Sequence, residues 1–150
     1  MPYQEVFDGT WTVDALMTRA KAVTQDLNGD TDYDENDSWG IGTYGSGIVA
    51  ALEGFDSGIA RMGSEGTPEI IANTEENIEK CQYWFDNVTN SDCLYNQGVN
   101  GDDSYEDMFE RGQIGFAMTN LTHTFALRSM EDDYGFLPMP KYNAGQTSYT

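Results

Sequence analysis

Between Asp26 and Asp37 the chain reads DLNGDTDYDEND, with oxygen-bearing side chains at the first, third, fifth, seventh, ninth and twelfth positions. This is the register in which an EF-hand-type loop wraps a hard cation in oxygen ligands. In that register Asp26, Asn28 and Asp30 supply side-chain oxygens and Asp32 its backbone carbonyl. Asp34 acts directly or through water, Asp37 closes the sphere, and Tyr33 stands at the eighth position, where an apolar side chain turns inward. The spacing predicts bound calcium. Two residues depart from it. Thr31 stands at the sixth position in place of the usual Gly, and a β-branched residue at positive φ costs roughly 1–2 kcal/mol. Asp37 replaces the longer Glu that grips with both oxygens. The alternative is a solvated turn whose Asp and Asn side chains cap their own backbone. Against it, the carboxylates of Asp30, Asp32, Asp34, Glu35 and Asp37 repel one another unless a counter-ion intervenes.

Other chemistry is thin. His123 is the one histidine, and no nucleophile or orienting carboxylate is spaced to it in the chain. Cys81 and Cys93 lack the C-x-x-C spacing of a zinc site; a disulfide and two free thiols both remain open. Gly40, Gly42, Gly45 and Gly47 are followed by no P-loop Lys or Rossmann acid in register. Two carboxylates can cleave a glycoside, but among 26 acidic residues no pair stands out. The residues point to a binding protein rather than an enzyme.

The acids outnumber 7 basic residues and leave a net charge of -19 over 150 residues. Nucleic acid and anionic membrane surfaces recruit Lys and Arg, so neither is expected as a partner. Aromatic residues make up 13%, which an acidic disordered tail lacks, so a folded domain with an acidic surface is expected. No apolar run is long enough to span a bilayer, and the first residues, MPYQE, carry neither the basic start nor the apolar stretch of a signal peptide.

The elements that must position these residues follow from periodicity and caps. Behind a Thr12 cap, Val13, Leu16, Met17, Ala20, Val23 and Leu27 recur at helical steps, predicting a helix that runs to Asn28-Gly29 and delivers the chain into the acidic loop. Residues 39–43 form a short segment and 48–52 a brief apolar stretch. Residues 54–68 read as irregular, with pairing around 59–62. A second helix starts at a Thr74 cap, with Ile78, Cys81, Phe85 and Val88 as its expected buried stripe, and ends at Asn90-Ser91. Ser104 and Asp107 resemble a capping box for a third helix, with Tyr105, Met108 and Phe109 inward and Gly112 as its stop. Residues 113–119 read as a strand buried on both faces, 122–130 as a short helix, and 134–138 as a further strand ended by prolines. Strands separated by helices predict a helix-rich α/β fold, with residues 1–150 as one domain.

The order of these pieces resembles the family 1 extracellular solute-binding proteins of bacterial ABC importers, the sugar-binding type. Gly9-Thr10-Trp11-Thr12 leads into the first helix, followed by DLNGDTDYDEND and Trp39-Gly40. Met108 to Met118 (MFERGQIGFAM) is similar to the family's helix–Gly–strand segment, and Asp133 to Lys141 (DYGFLPMPK) to the strand that leaves the lobe. Residues 54–73 match poorly. The resemblance implies one lobe of a two-lobed periplasmic-binding-protein fold, mainly the C-terminal one, whose second lobe is not in this chain. It implies a non-catalytic receptor that closes on an oligosaccharide or other sugar and hands it to the permease subunits of an importer. It also implies an extracellular or periplasmic location, with a lipid anchor on the full-length protein. Tyr44 is then a candidate for stacking on a sugar ring, and Asn120, Thr122 and His123 for contacting its hydroxyls. No Trp stands in that second segment, and Phe125 is expected to be buried.

A calcium-dependent adhesion or docking module is the alternative, since it shares the Asp-x-Asn-x-Asp spacing. Such modules carry two loops, and residues 96–107 fail the register. A small carboxylate hydrolase is a third reading with little to support it.

Overall fold

The backbone from Trp39 to Thr43 is buried throughout, and it becomes the centre of a sheet because apolar Trp39 and Ile41 alternate with Gly40 and Gly42, whose lack of side chains lets neighbours approach. The computed structural model describes residues 1–45 and 47–150. The fold is mixed α/β, with a parallel sheet and helices. The chain divides into two compact units, Met17–Gly47 with Asn90–Gly135, and Met1–Leu16 with Ile48–Thr89 and Phe136–Thr150.

In the first of these units β1 (Trp39–Tyr44) is flanked by β4 (Leu94–Gln97) and β5 (Ile114–Ala117), both parallel to it, giving the order β4-β1-β5. Ile41 aligns with Leu94 on one side and Phe116 on the other. The helix α5 (Tyr105–Glu110) links the two outer strands and closes over a core of Trp39, Tyr95, Tyr105, Met108 and Ile114. Its ends are as the sequence predicts. Ser104 Oγ accepts from the Asp107 N–H at 3.3 Å, and Gly112 takes φ +77° beyond the last turn.

The strand β4 was hidden in a stretch dense in Asn, Gly and Asp, where two apolar residues, Leu94 and Tyr95, make no visible alternation. β5 is shorter than residues 113–119 and not buried on both faces: Gly115 is exposed, and Phe116 and Ala117 are half-buried. No strand forms at 134–138. Pro138 and Pro140 cannot donate to a ladder, and the Pro138 carbonyl accepts from Trp11 Nε1 at 3.0 Å instead.

The helix α2 (Val13–Val23) begins where predicted but stops a turn early, leaving Leu27 exposed. Thr24 turns its hydroxyl back onto the Ala20 carbonyl, and Gln25 then pairs antiparallel with Ser38, which draws the chain out of the helix before the acidic loop.

The other unit contains α1 (Tyr3–Phe7), α3 (Ile48–Gly54), the hairpin of β2 (Ala60–Met62) and β3 (Pro68–Ile70), and α4 (Glu75–Trp84), which runs into a π-helical turn at Phe85–Thr89. Of the expected stripe of α4 and the turn beyond it, Val88 is buried and Cys81 half-buried, but the other two positions are not. Ile78 is exposed and Phe85 lies at the surface, while Asn77, Lys80, Trp84 and Val88 face inward. Polar groups win the interior because each finds partners. Asn77 Nδ2 donates to the carbonyls of Gly58 and Ile71, both at 2.8 Å. Lys80 Nζ donates to Phe55 O at 3.0 Å and to Glu76 Oε1 at 2.7 Å. Trp84 packs edge-on against Phe55. Cys81 and Cys93 are free thiols. No helix among the described residues is long and apolar enough to cross a membrane.

Burial pushes the phenols of Tyr83, Tyr95 and Tyr105 up to about 12; nearby carboxylates add to it, Asp14 at Tyr83, Glu35 at Tyr95 and Glu106 at Tyr105. The folded chain therefore keeps these protons where the unfolded chain, with phenols near about 10, releases them. Their contribution is whole below about pH 10 and is lost as pH rises towards about 12. Urea midpoints measured across that window should fall steadily; a flat profile would mean that the three rings titrate as free tyrosines.

Candidate functional site

The acidic loop is wound by its own side chains. Asp26 takes the N–H of Gly29 at 2.6 Å on one oxygen and that of Thr31 at 3.0 Å on the other. Asn28 accepts from the Asp30 N–H, Asp30 from the Asp32 N–H, and Asp34 from the Asn36 N–H. Thr31 adopts φ +73°, the left-handed conformation that the sixth position of a calcium loop demands, in spite of its β-branch. Asp37, at the twelfth position, is fully buried, and its two oxygens accept from Leu27 N at 2.8 Å and Asp34 N at 3.0 Å, tying both ends of the loop. The loop is anchored to the sheet. Trp39 Nε1 donates to Asp34 O at 2.7 Å, and Gln113 Nε2 donates to Glu35 O and Asp37 O at 3.0 and 3.3 Å. Tyr33 at the eighth position touches Trp39 edge-on but remains exposed, so it does not pack inward as expected. The loop leads into β1, not into a second helix. The carboxylates turn to the backbone, and among the described residues no three His, Cys, Asp or Glu side chains converge to hold a metal ion.

The second candidate region lies at the carboxyl edge of the sheet. All three strands are parallel, so the loops after β1, β4 and β5 leave on the same edge, where open α/β sheets present their ligands. Tyr44 closes β1 and is 76% exposed. The adjacent Gly45 N–H donates to Asn96 Oδ1 of β4 at 2.9 Å, which holds this turn against the neighbouring strand. Asn120, three residues beyond β5, caps a 3-10 segment at Leu121–Ser129: its Oδ1 accepts from Thr122 N at 3.0 Å and its carbonyl from His123 N at 3.1 Å. The Thr122 hydroxyl also meets Asn120 Oδ1. Asn120, Thr122 and His123 thus share one turn, on the same sheet edge as Tyr44.

One residue here departs from the sequence reading and another adds to it. Phe125 is exposed rather than buried, with the Arg128 guanidinium 4.7 Å from the centre of its ring. Glu106 carries the partner of His123, its Oε1 lying 2.7 Å from His123 Nδ1. In the sequence Glu106 reads as an acid in the first turn of a helix, favoured there by the helix dipole, and nothing local ties it to a histidine 17 positions away.

Comparison with known proteins found no matching family model, no matching curated protein and no matching solved structure.

Proposed function

We propose that this chain is the sugar-binding lobe of an extracellular solute-binding receptor serving an ABC importer, with the loop at 26–37 as a structural calcium site. The observation that carries the sugar reading is Tyr44. A tyrosine ring standing largely in solvent at the carboxyl edge of a parallel sheet, on the edge that also carries the Asn120–His123 turn, offers an apolar face to a ligand whose hydroxyls that turn would bind. A neutral polyol with apolar ring faces suits such a surface. The receptor context, with a second lobe, permease subunits, a lipid anchor and an extracellular or periplasmic location, rests on the resemblance in the order of sequence motifs.

For calcium, the support is the wind of the backbone, with Thr31 left-handed at the sixth position. Asp26, Asn28, Asp30, Asp34 and Asp37 would hold the ion, with the Asp32 carbonyl, once their oxygens turn from the backbone N–H groups they accept from here. It would offset the mutual repulsion of the loop carboxylates and brace the entry to β1. No catalytic step is assigned to it.

The test is calorimetric titration of the chain with maltotriose, cellotriose and xylotriose. Because a single lobe covers its ligand from one side, at least one sugar should bind weakly, with a dissociation constant of about 1 mM. Tyr44→Ala should weaken that binding by at least about fivefold, the equivalent of about 1 kcal/mol of ring contact. Failure of all three sugars to bind, or equal binding by the Tyr44→Ala chain, would overturn the reading.

A further inference from the structure

His123 and Glu106 meet across the fold in a way that sets the chemistry His123 offers. A carboxylate only accepts hydrogen bonds, so the 2.7 Å contact between Glu106 Oε1 and His123 Nδ1 places the imidazole proton on Nδ1. Glu106 is itself held: Ser104 Oγ donates to its Oε2 at 3.0 Å, and its side chain is only 18% exposed, against 42% for His123. The backbone of His123 is pinned to the turn by its N–H on the Asn120 carbonyl. In the neutral imidazole this leaves the lone pair on Nε2.

We infer that Glu106 is a positioning residue that locks His123 as the Nδ1–H tautomer, so that Nε2 serves as a hydrogen-bond acceptor for a ligand hydroxyl at the carboxyl edge of the sheet. The inference rests on the sugar-binding reading and sharpens it. Asn120 spends its Oδ1 on the turn and leaves its Nδ2 as a donor. An acceptor and a donor on one turn match a polyol whose neighbouring hydroxyls each give and take a hydrogen bond. A carboxylate ligand would have no proton to give to Nε2.

Because His123 is the one histidine in the chain, its ring nitrogens can be read without ambiguity by long-range nitrogen–proton NMR over a pH series, the tautomer being taken from the spectra of the neutral ring. The wild-type protein should carry the proton on Nδ1, and Glu106→Ala should shift it towards Nε2, the tautomer that free imidazole side chains favour. With the trisaccharide that binds the wild type, Glu106→Ala and His123→Phe should each weaken binding about fivefold, as for one lost hydrogen bond of about 1 kcal/mol. A wild-type ring protonated mainly on Nε2 overturns the inference. So does the expected tautomer combined with unchanged sugar affinity in Glu106→Ala; a simultaneous loss in Tyr44→Ala would show that the sugar reading itself survives. If no trisaccharide binds the wild type, both readings fall together, whatever tautomer is seen.

Discussion

Gly40→Ala is expected to lower the melting temperature by about 10 °C, the equivalent of roughly 3 kcal/mol for a chain of this size. A Cβ at position 40 would stand 2.4 Å from the Ala20 carbonyl oxygen and 2.5 Å from both Ala20 Cα and Cβ. Those are closer than atoms approach, and the carbonyl and Cα belong to a helix backbone that cannot swing aside as a long side chain does. To admit one methyl, α2 must lift from β1, and the lift is felt along the whole contact because protein interiors are close-packed. Against a total stability of about 5–15 kcal/mol for a typical domain, the loss is large. Ala20→Gly in the same chain removes one of the three clashing atoms and should restore part of the stability. Urea unfolding of the single and double variants checks both expectations. A Gly40→Ala midpoint equal to that of the wild type would mean that helix and strand stand further apart than described.

Asp37→Ala is expected to cost about 2–6 kcal/mol and to remove any response to calcium. The carboxylate is buried, and both of its oxygens receive backbone N–H groups, from Leu27 and Asp34. Removing them strands two donors, at about 1–3 kcal/mol each. The loss should appear even in excess EDTA, since it needs no ion. In the wild-type chain, EDTA should lower the melting temperature and added calcium should restore it by mass action, whereas Asp37→Ala should melt at the same temperature with and without the ion. The two readouts separate the roles of the residue. Destabilisation with no calcium response in either chain would leave Asp37 as a clasp of the loop and overturn the calcium reading. Asp37→Asn keeps the shape but only one accepting oxygen, so it should fall between the two.

Both predictions bear on how much could be read without the fold. The start of α2 behind Thr12, the caps Thr74 and Ser104, and the stop at Gly112 were legible, because each is encoded within four or five residues by a side chain meeting its own backbone. The left-handed Thr31 was legible for the same reason: the loop register demanded it at that position. The face of α4 was not legible. Hydropathy favours Ile78 and Phe85, but Asn77 and Lys80 are inward because carbonyls of the 55–58 and 71 regions wait there to receive them. Nor was β4 legible, since Leu94 and Tyr95 acquire a strand's identity only by pairing with Ile41 and Gly42.

The sequence by itself determined the local chemistry: a strongly acidic surface, an oxygen-rich loop in calcium register, and the turns and caps that begin and end the helices. Tertiary structure decided what those residues face. It brought the ends of β1 and β5 to one edge, so that Tyr44 and the Asn120 turn leave the sheet on the same side, and it carried Glu106 to His123. The physical reason is range. A cap or a loop register is a bargain between near neighbours, while strand order, inward face and imidazole tautomer depend on groups that only the folded chain brings within a hydrogen bond of each other.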